Sequence, residues 1–375
     1  MKLTNIQALR ACAALMIVVF HCGIDTTRLA AAAGDAKLFN EQVWWEGIPI
    51  FFTISGFIMV VTSAQTFGSL SAALDFMRRR IVRIVPLYWL VTTVALATVL
   101  VAPKLLAQAA PDNHIYIAAS YLFWPYMRLN GDVRPLAAMG WTLNLEMFFY
   151  VVFASCLLFR RGLGILLLFA SLGLLVAARV SGLLQGVALN FWGDPIVLGF
   201  LSGAAVGVAF NNGWRLSGLA AVTLAAIGFA VIFLGWIPGG AQSAFWRPAA
   251  EAVNSALILT AVALGPQIDD KWRLWRGALR CGDASYSLYL VNPFFLEPLY
   301  LLWLKGPLAK LPLWMFIPVG IAVSVLAALA TYQCFERPVT RWLNRKKIPN
   351  LASVFGPGSR LRGGSIVPGW MAFSK

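Results

Sequence analysis

Ten apolar runs, each about as long as a bilayer is thick, constrain this chain more than any single motif. They fall near residues 8–24, 44–63, 82–102, 140–159, 163–181, 191–210, 216–236, 249–266, 284–303 and 312–334. A span needs about 20 mostly apolar residues, and lipid offers no partner for backbone amides, so each run must close its own hydrogen bonds as helix. Composition agrees. Of 375 residues, 60% are hydrophobic and 12% charged, where a soluble domain carries roughly 25% charged residues. The expected fold is all-α, a polytopic transmembrane helical bundle of about ten spans filling residues 1–345. Residues 346–375, with Gly, Pro, Ser and scattered Arg, read as a loosely ordered cytoplasmic tail.

Charge orders the spans. The formal net charge is +15, which in a soluble protein would suggest nucleic acid. Here the basic residues sit in short loops, where they set orientation and meet anionic lipid. A further run, 113–127, holds His114, Tyr116, Tyr121, Trp124 and Tyr126, an interfacial composition. With that run left out, a cytoplasmic start puts Arg78, Arg79, Arg80, Arg83, Arg160, Arg161, Arg215, Arg276, Arg280 and every basic residue from Arg337 onward inside. Both termini are then cytoplasmic. Counting 113–127 as a span would send Arg160 and Arg161 outside and invert everything before it. The first helix reads as a retained span, not a cleaved signal, because this topology needs it. No internal repeat of the inverted-transporter kind is evident.

An ionisable side chain inside a span is costly and marks function by default. Arg10 and His21 share the first span. Eleven residues are close to three helical turns, so they project from nearly one face, about 16 Å apart along the axis. Imidazole can take a proton from a hydroxyl near neutral pH; alternatively, His21 caps the outer helix end and Arg10 anchors the inner one. Glu146 lies about two turns into its span, where it could orient His21 or pair with an arginine. Arg80 and Arg83 are three apart on one helix face, and guanidinium forks suit phosphates. They, with Arg79, could hold a phosphorylated donor such as a coenzyme A ester, or serve as topology anchors. Ser55 and Gly56 are small enough to let helices approach closely.

Cys12, Cys22, Cys156, Cys281 and Cys334 lack metal spacing and form no disulfide framework. No Gly-x-Ser-x-Gly elbow or Walker loop occurs, so neither a serine triad nor a metal is expected.

These residues resemble the acyltransferase 3 family of membrane O-acyltransferases. Its arginine and histidine on the first helix match Arg10 and His21, and its second signature resembles residues 47–57. Its Arg-Arg-x-x-Arg-Ile-x-Pro-x-Tyr-Trp run matches residues 79–89, its Trp-Ser/Thr-Leu-x-x-Glu-x-x-Phe-Tyr run matches 141–150, and its Ser-Tyr-Ser-Leu-Tyr-Leu run matches 285–290. Glu336-Arg-Pro338 looks like the usual ending. The opening and the stretch 140–149 look most like the bacterial exopolysaccharide O-acetyltransferase branch. Two positions depart: Pro49 replaces the usual Asp, and Asn292 stands where a His often follows.

The resemblance implies a multi-pass enzyme of the bacterial inner membrane. It implies acetyl transfer from acetyl-CoA to a hydroxyl of a polysaccharide or lipid-linked sugar, with no metal and no nucleic-acid partner. His21, Glu146 and Arg10 are the expected catalytic residues; Arg80, Arg83 and Arg79 are expected to bind the donor. A transporter or flippase of lipid-linked sugar is the rival expectation, since it shares a polar cavity in a helical bundle but needs no general base.

Overall fold

The computed structural model describes residues 3–37, 39–101, 111–235, 245–268 and 273–345, and among these all regular structure is helix, with no strand. The expected tail, 346–375, lies outside the described residues.

In chain order the helices are α1 (Thr4–Ala33), α2 (Gly47–Thr62), α3 (Leu70–Val101), α4 (His114–Tyr121), α5 (Gly140–Cys156), α6 (Arg161–Val180) and α7 (Val187–Trp192). They continue as α8 (Leu198–Asn211), α9 (Gly218–Phe233), α10 (Trp246–Leu264), α11 (Arg273–Asp283), α12 (Ser285–Lys305), α13 (Phe316–Thr331) and α14 (Arg337–Arg345). Every apolar run of the sequence becomes a helix. Among the described residues, six helical stretches are long and apolar enough to cross a membrane: Thr4–Ala33, Gln42–Thr62, Leu70–Val101, Arg161–Val180, Ser285–Lys305 and Leu313–Arg345. By that measure the bundle is multi-pass. Of the remaining apolar helices, α8 and α9 have only 14 and 16 residues, and α10 carries Arg247 and Glu251.

The interfacial run became α4, eight residues long. Asn113 caps it, accepting from the Tyr116 amide at 2.8 Å. The helix does not separate its neighbours. Tyr88 of α3 meets Gly140 of α5, and Phe76 of α3 meets Tyr150 and Phe153 of α5, so α3 and α5 run antiparallel. Tyr88 and Trp89 tie α4 down by donating to the carbonyls of Ser120 and Tyr121 at 2.7 and 2.9 Å.

Two contacts position the site. Helices α2 and α8 pack backbone against backbone. A Cβ on Gly56 would lie 2.0 Å from the Phe200 carbonyl oxygen, and one on Gly203 would lie 1.8 Å from that of Thr53. Only hydrogen fits at either position. Helices α1 and α12 meet along a polar seam. From one end to the other, Gln7 donates to Asp283 just before α12, Arg10 to Ser285, His21 pairs with Asn292, and Arg28 grips Glu297. The numbers rise together on both helices, so α1 and α12 run parallel.

Candidate active site

Helices α1, α2, α3, α5 and α12 surround a cavity of about 160 Å3. Helical periodicity supplies its polar lining. On α5, Thr142, Glu146 and Tyr150 recur at four-residue spacing and so share a face; on α12, Ser285 and Tyr289 do the same. Arg80 and Arg83 face inward from α3, Arg10 from α1 and Ser55 from α2. Four of the six expected site residues therefore converge: Arg10, Arg80, Arg83 and Glu146.

Their partners differ in kind. Arg10 donates to two neutral groups, Ser285 Oγ at 2.9 Å and Gln7 Oε1 at 3.1 Å. Asp283 and Glu336 lie within electrostatic reach of it. Arg80 packs its guanidinium over the rings of Phe76 and Tyr150, 5.3 and 5.6 Å from their centroids, while its Nε is buried with no hydrogen-bond partner. Arg83 makes no hydrogen bond or ion pair among the described residues. Glu146 is the one carboxylate among the lining residues. It accepts from Ser55 Oγ at 3.0 Å and from the Tyr150 hydroxyl. Tyr286 donates to the Ile84 carbonyl at 2.8 Å, bracing α12 against α3 beside the arginines.

Two expected residues stand apart from the lining. Arg79 is exposed, turned about 100° around α3 from Arg80. His21 is not a lining residue, although Ile17, one turn before it, is. Its ring points into the protein, with Nδ1 2.8 Å from Asn292 Oδ1 and Phe20 beside it at 5.5 Å. Phe20 continues to Trp45, which stacks on Trp141 with ring centroids 5.9 Å apart.

The anticipated His21–Glu146 pair does not form. Glu146 faces α2 and α3, where Ser55 and Arg80 are; the helix beside α1 at the level of His21 is α12. Ser55 also departs from its packing role, which falls to Gly56, because its hydroxyl turns to Glu146. Sequence reasoning assigned no role to Tyr150, Tyr286, Tyr289, Ser285 or Asn292. Their signal is in the sequence: Ser285, Tyr286 and Tyr289 stand inside the Ser-Tyr-Ser-Leu-Tyr-Leu run, and Asn292 follows it where a His often stands. Among the described residues, no three His, Cys, Asp or Glu side chains stand together as a metal site would require.

Residues 3–333 match the family model described as the acyltransferase domain of the acyltransferase 3 family. The exopolysaccharide production protein ExoZ of Rhizobium meliloti (strain 1021) is 31% identical over 303 residues, covering 79% of this chain and 89% of that protein. No solved structure matches.

Proposed function

The chain belongs to the acyltransferase 3 family, and from that premise we propose that it is an O-acetyltransferase. In this reading it transfers the acetyl group of acetyl-CoA to a hydroxyl of an exopolysaccharide or its lipid-linked precursor. The observation that carries the donor assignment is the imbalance in the cavity: three guanidiniums line it with a single carboxylate, and one of them keeps a buried N–H without a partner. A group that is costly to bury and left short of partners is suited to a ligand that completes it. Guanidinium forks match phosphate geometry, and the phosphates of coenzyme A supply such a ligand. The printed name of the exopolysaccharide relative supports the acceptor class.

In this mechanism Arg80 and Arg83 hold the donor's phosphates, and Arg79 flanks the mouth. The pantetheine arm runs past Arg10 along the α1–α12 seam toward His21. There, imidazole Nε2 takes the proton of the acceptor hydroxyl as its oxygen attacks the thioester carbonyl. The C–O bond forms, the C–S bond breaks, and the departing thiolate collects the proton from the imidazolium. Glu146 acts as counter-charge to Arg80 and fixes Ser55 and Tyr150, instead of touching the histidine.

The site then has a side. Acetyl-CoA is cytoplasmic, so the arginine end faces the cytoplasm of a bacterium and the His21 end lies deeper toward the outer face of the inner membrane. The parallel run of α1 and α12 supports ten spans. Parallel neighbours need an odd number of crossings between them, and α2, α3, α5, α6, α8, α9 and α10 provide seven. Adding α13 brings the chain back inside, so both termini are cytoplasmic. A crossing by 113–127 would make α1 and α12 antiparallel.

The test is acetyl transfer by the purified protein in proteoliposomes supplied with labelled acetyl-CoA and deacetylated polysaccharide. Replacing His21 with Ala should lower turnover about 10²–10⁴-fold, the usual worth of a general base, with membrane protein levels unchanged. Retained turnover overturns the assignment.

A further inference from the structure

His21 has two ring nitrogens, and only one can be the base. The hydrogen-bond network decides which, through a residue that no motif assigned. Asn292 is fully buried. Its amide nitrogen donates twice, to the Leu288 carbonyl at 2.8 Å and the Tyr289 carbonyl at 2.9 Å. Rotating the amide would set its oxygen against both carbonyl oxygens and lose two buried hydrogen bonds, leaving both carbonyls unsatisfied. The amide oxygen therefore faces His21. An amide oxygen only accepts, so the 2.8 Å contact requires a proton on Nδ1.

The next residue explains why the amide stays put. Pro293 lies inside α12 and has no N–H, so the Tyr289 carbonyl, four residues back, is left without its helical donor. The Asn292 amide supplies that donor. A proline that breaks one backbone bond thus creates the anchor for the side chain before it.

We infer that Asn292 is a positioning residue: anchored on the carbonyl that Pro293 frees, it locks His21 in the Nδ1–H tautomer and leaves the Nε2 lone pair available to the acceptor hydroxyl. This rests on the proposed role of His21 as base, but the tautomer itself stands or falls separately.

The chain has two histidines, and the other, His114, is exposed on α4. In a His114→Gln background, protein labelled with ¹⁵N-histidine and embedded in bilayers gives the spectrum of His21 alone. The expected spectrum has a protonated Nδ1 and a bare Nε2; a protonated Nε2 overturns the inference with no further variant needed. Asn292→Ala should mix the tautomers and lower turnover about tenfold to a hundredfold, less than the loss of the histidine itself. Asn292→Asp keeps an acceptor toward Nδ1 and should hold the tautomer and most of the turnover. Equal losses in the Ala and Asp variants, with the tautomer unchanged in both, would mean Asn292 only packs α12 and would overturn the inference. If the tautomer is as expected but His21→Ala remains active, the failure lies with the role of the base, not with Asn292.

Discussion

Arg10 and Arg28 sit on the same helix, face the same neighbour and carry the same guanidinium, yet the protein treats them in opposite ways. Arg28 is saturated. It forms a two-pronged pair with Glu297 at 2.9 and 3.1 Å, bonds Asp25 at 2.8 Å and stacks 4.0 Å over the Tyr300 ring. Arg10 meets only neutral oxygens directly, and across the cavity Arg80 keeps an unpaired N–H. An arginine paired with carboxylates is a fastener, holding helices with charge-assisted hydrogen bonds. One without such a partner inside a membrane protein is a cost to the fold unless something else completes it. Burial alone does not distinguish the two; the list of partners does.

The contrast can be broken most directly at the cavity. Replacing Arg80 or Arg83 with Ala should raise the KM for acetyl-CoA about 10- to 100-fold, which corresponds to losing one or two charge-assisted hydrogen bonds of about 1.5–3 kcal/mol each. Because Arg80 has an unmet donor without ligand, the same substitution should leave thermal stability in detergent unchanged or slightly raised. A large fall in Tm with KM unaltered would show that these arginines are fasteners too. At the other end of α1, Arg28→Ala should do the reverse. Its ion pair is partly exposed, so the loss is about 1–2 kcal/mol, read as a Tm lower by a few degrees with KM for acetyl-CoA unchanged.

The smallest effect belongs to a third arginine. In the loop before α4, Asp112 accepts from the Leu129 amide at 2.8 Å and from Arg128 Nη2 at 3.0 Å. First that amide and then the Arg128 side chain hold the Asp112 carboxyl below its ordinary range. A depressed carboxyl contributes order above its unfolded pKa, near 3.9, and that order fades as pH falls through the lower, folded value. Protection of the Leu129 amide, its exchange rate relative to the unprotected rate at the same pH, should therefore be steady from neutral pH to about pH 4 and fall below it. Asp112→Asn should bring that loss of protection to neutral pH, with Tm and KM unaltered.

The architecture was largely readable because bilayer physics writes itself in long, coarse signals. Each apolar run marked a helix, and the run 113–127, set apart by its interfacial composition, holds the eight-residue α4. Arg10, Arg80, Arg83 and Glu146 were readable for a related reason: a charge in an apolar run is conspicuous whatever surrounds it. The partners were not readable. Periodicity places His21 and Arg10 on one face of α1 but says nothing about which helix that face meets, so Glu146 was a reasonable partner and Asn292 the actual one. Neutral groups such as Tyr150, Tyr286 and Ser285 carry no such penalty, so they blend into the spans until the helices are assembled. Arg79 shows the converse. Its charge and motif position suggested the site, but it lies one residue from Arg80 and so turns about 100° away around the helix.

The crossing of α2 and α8 limits how such a cavity can breathe. Where a glycine hydrogen lies against a carbonyl, there is no rotamer to flip and no flexible tip to swing aside. Neither helix can roll, slide by a turn or tilt inward there without colliding main chains. That wall is rigid by default, and any widening that admits or releases a bulky nucleotide falls to the opposite side, where α3 and α12 touch through the long ring of Tyr286.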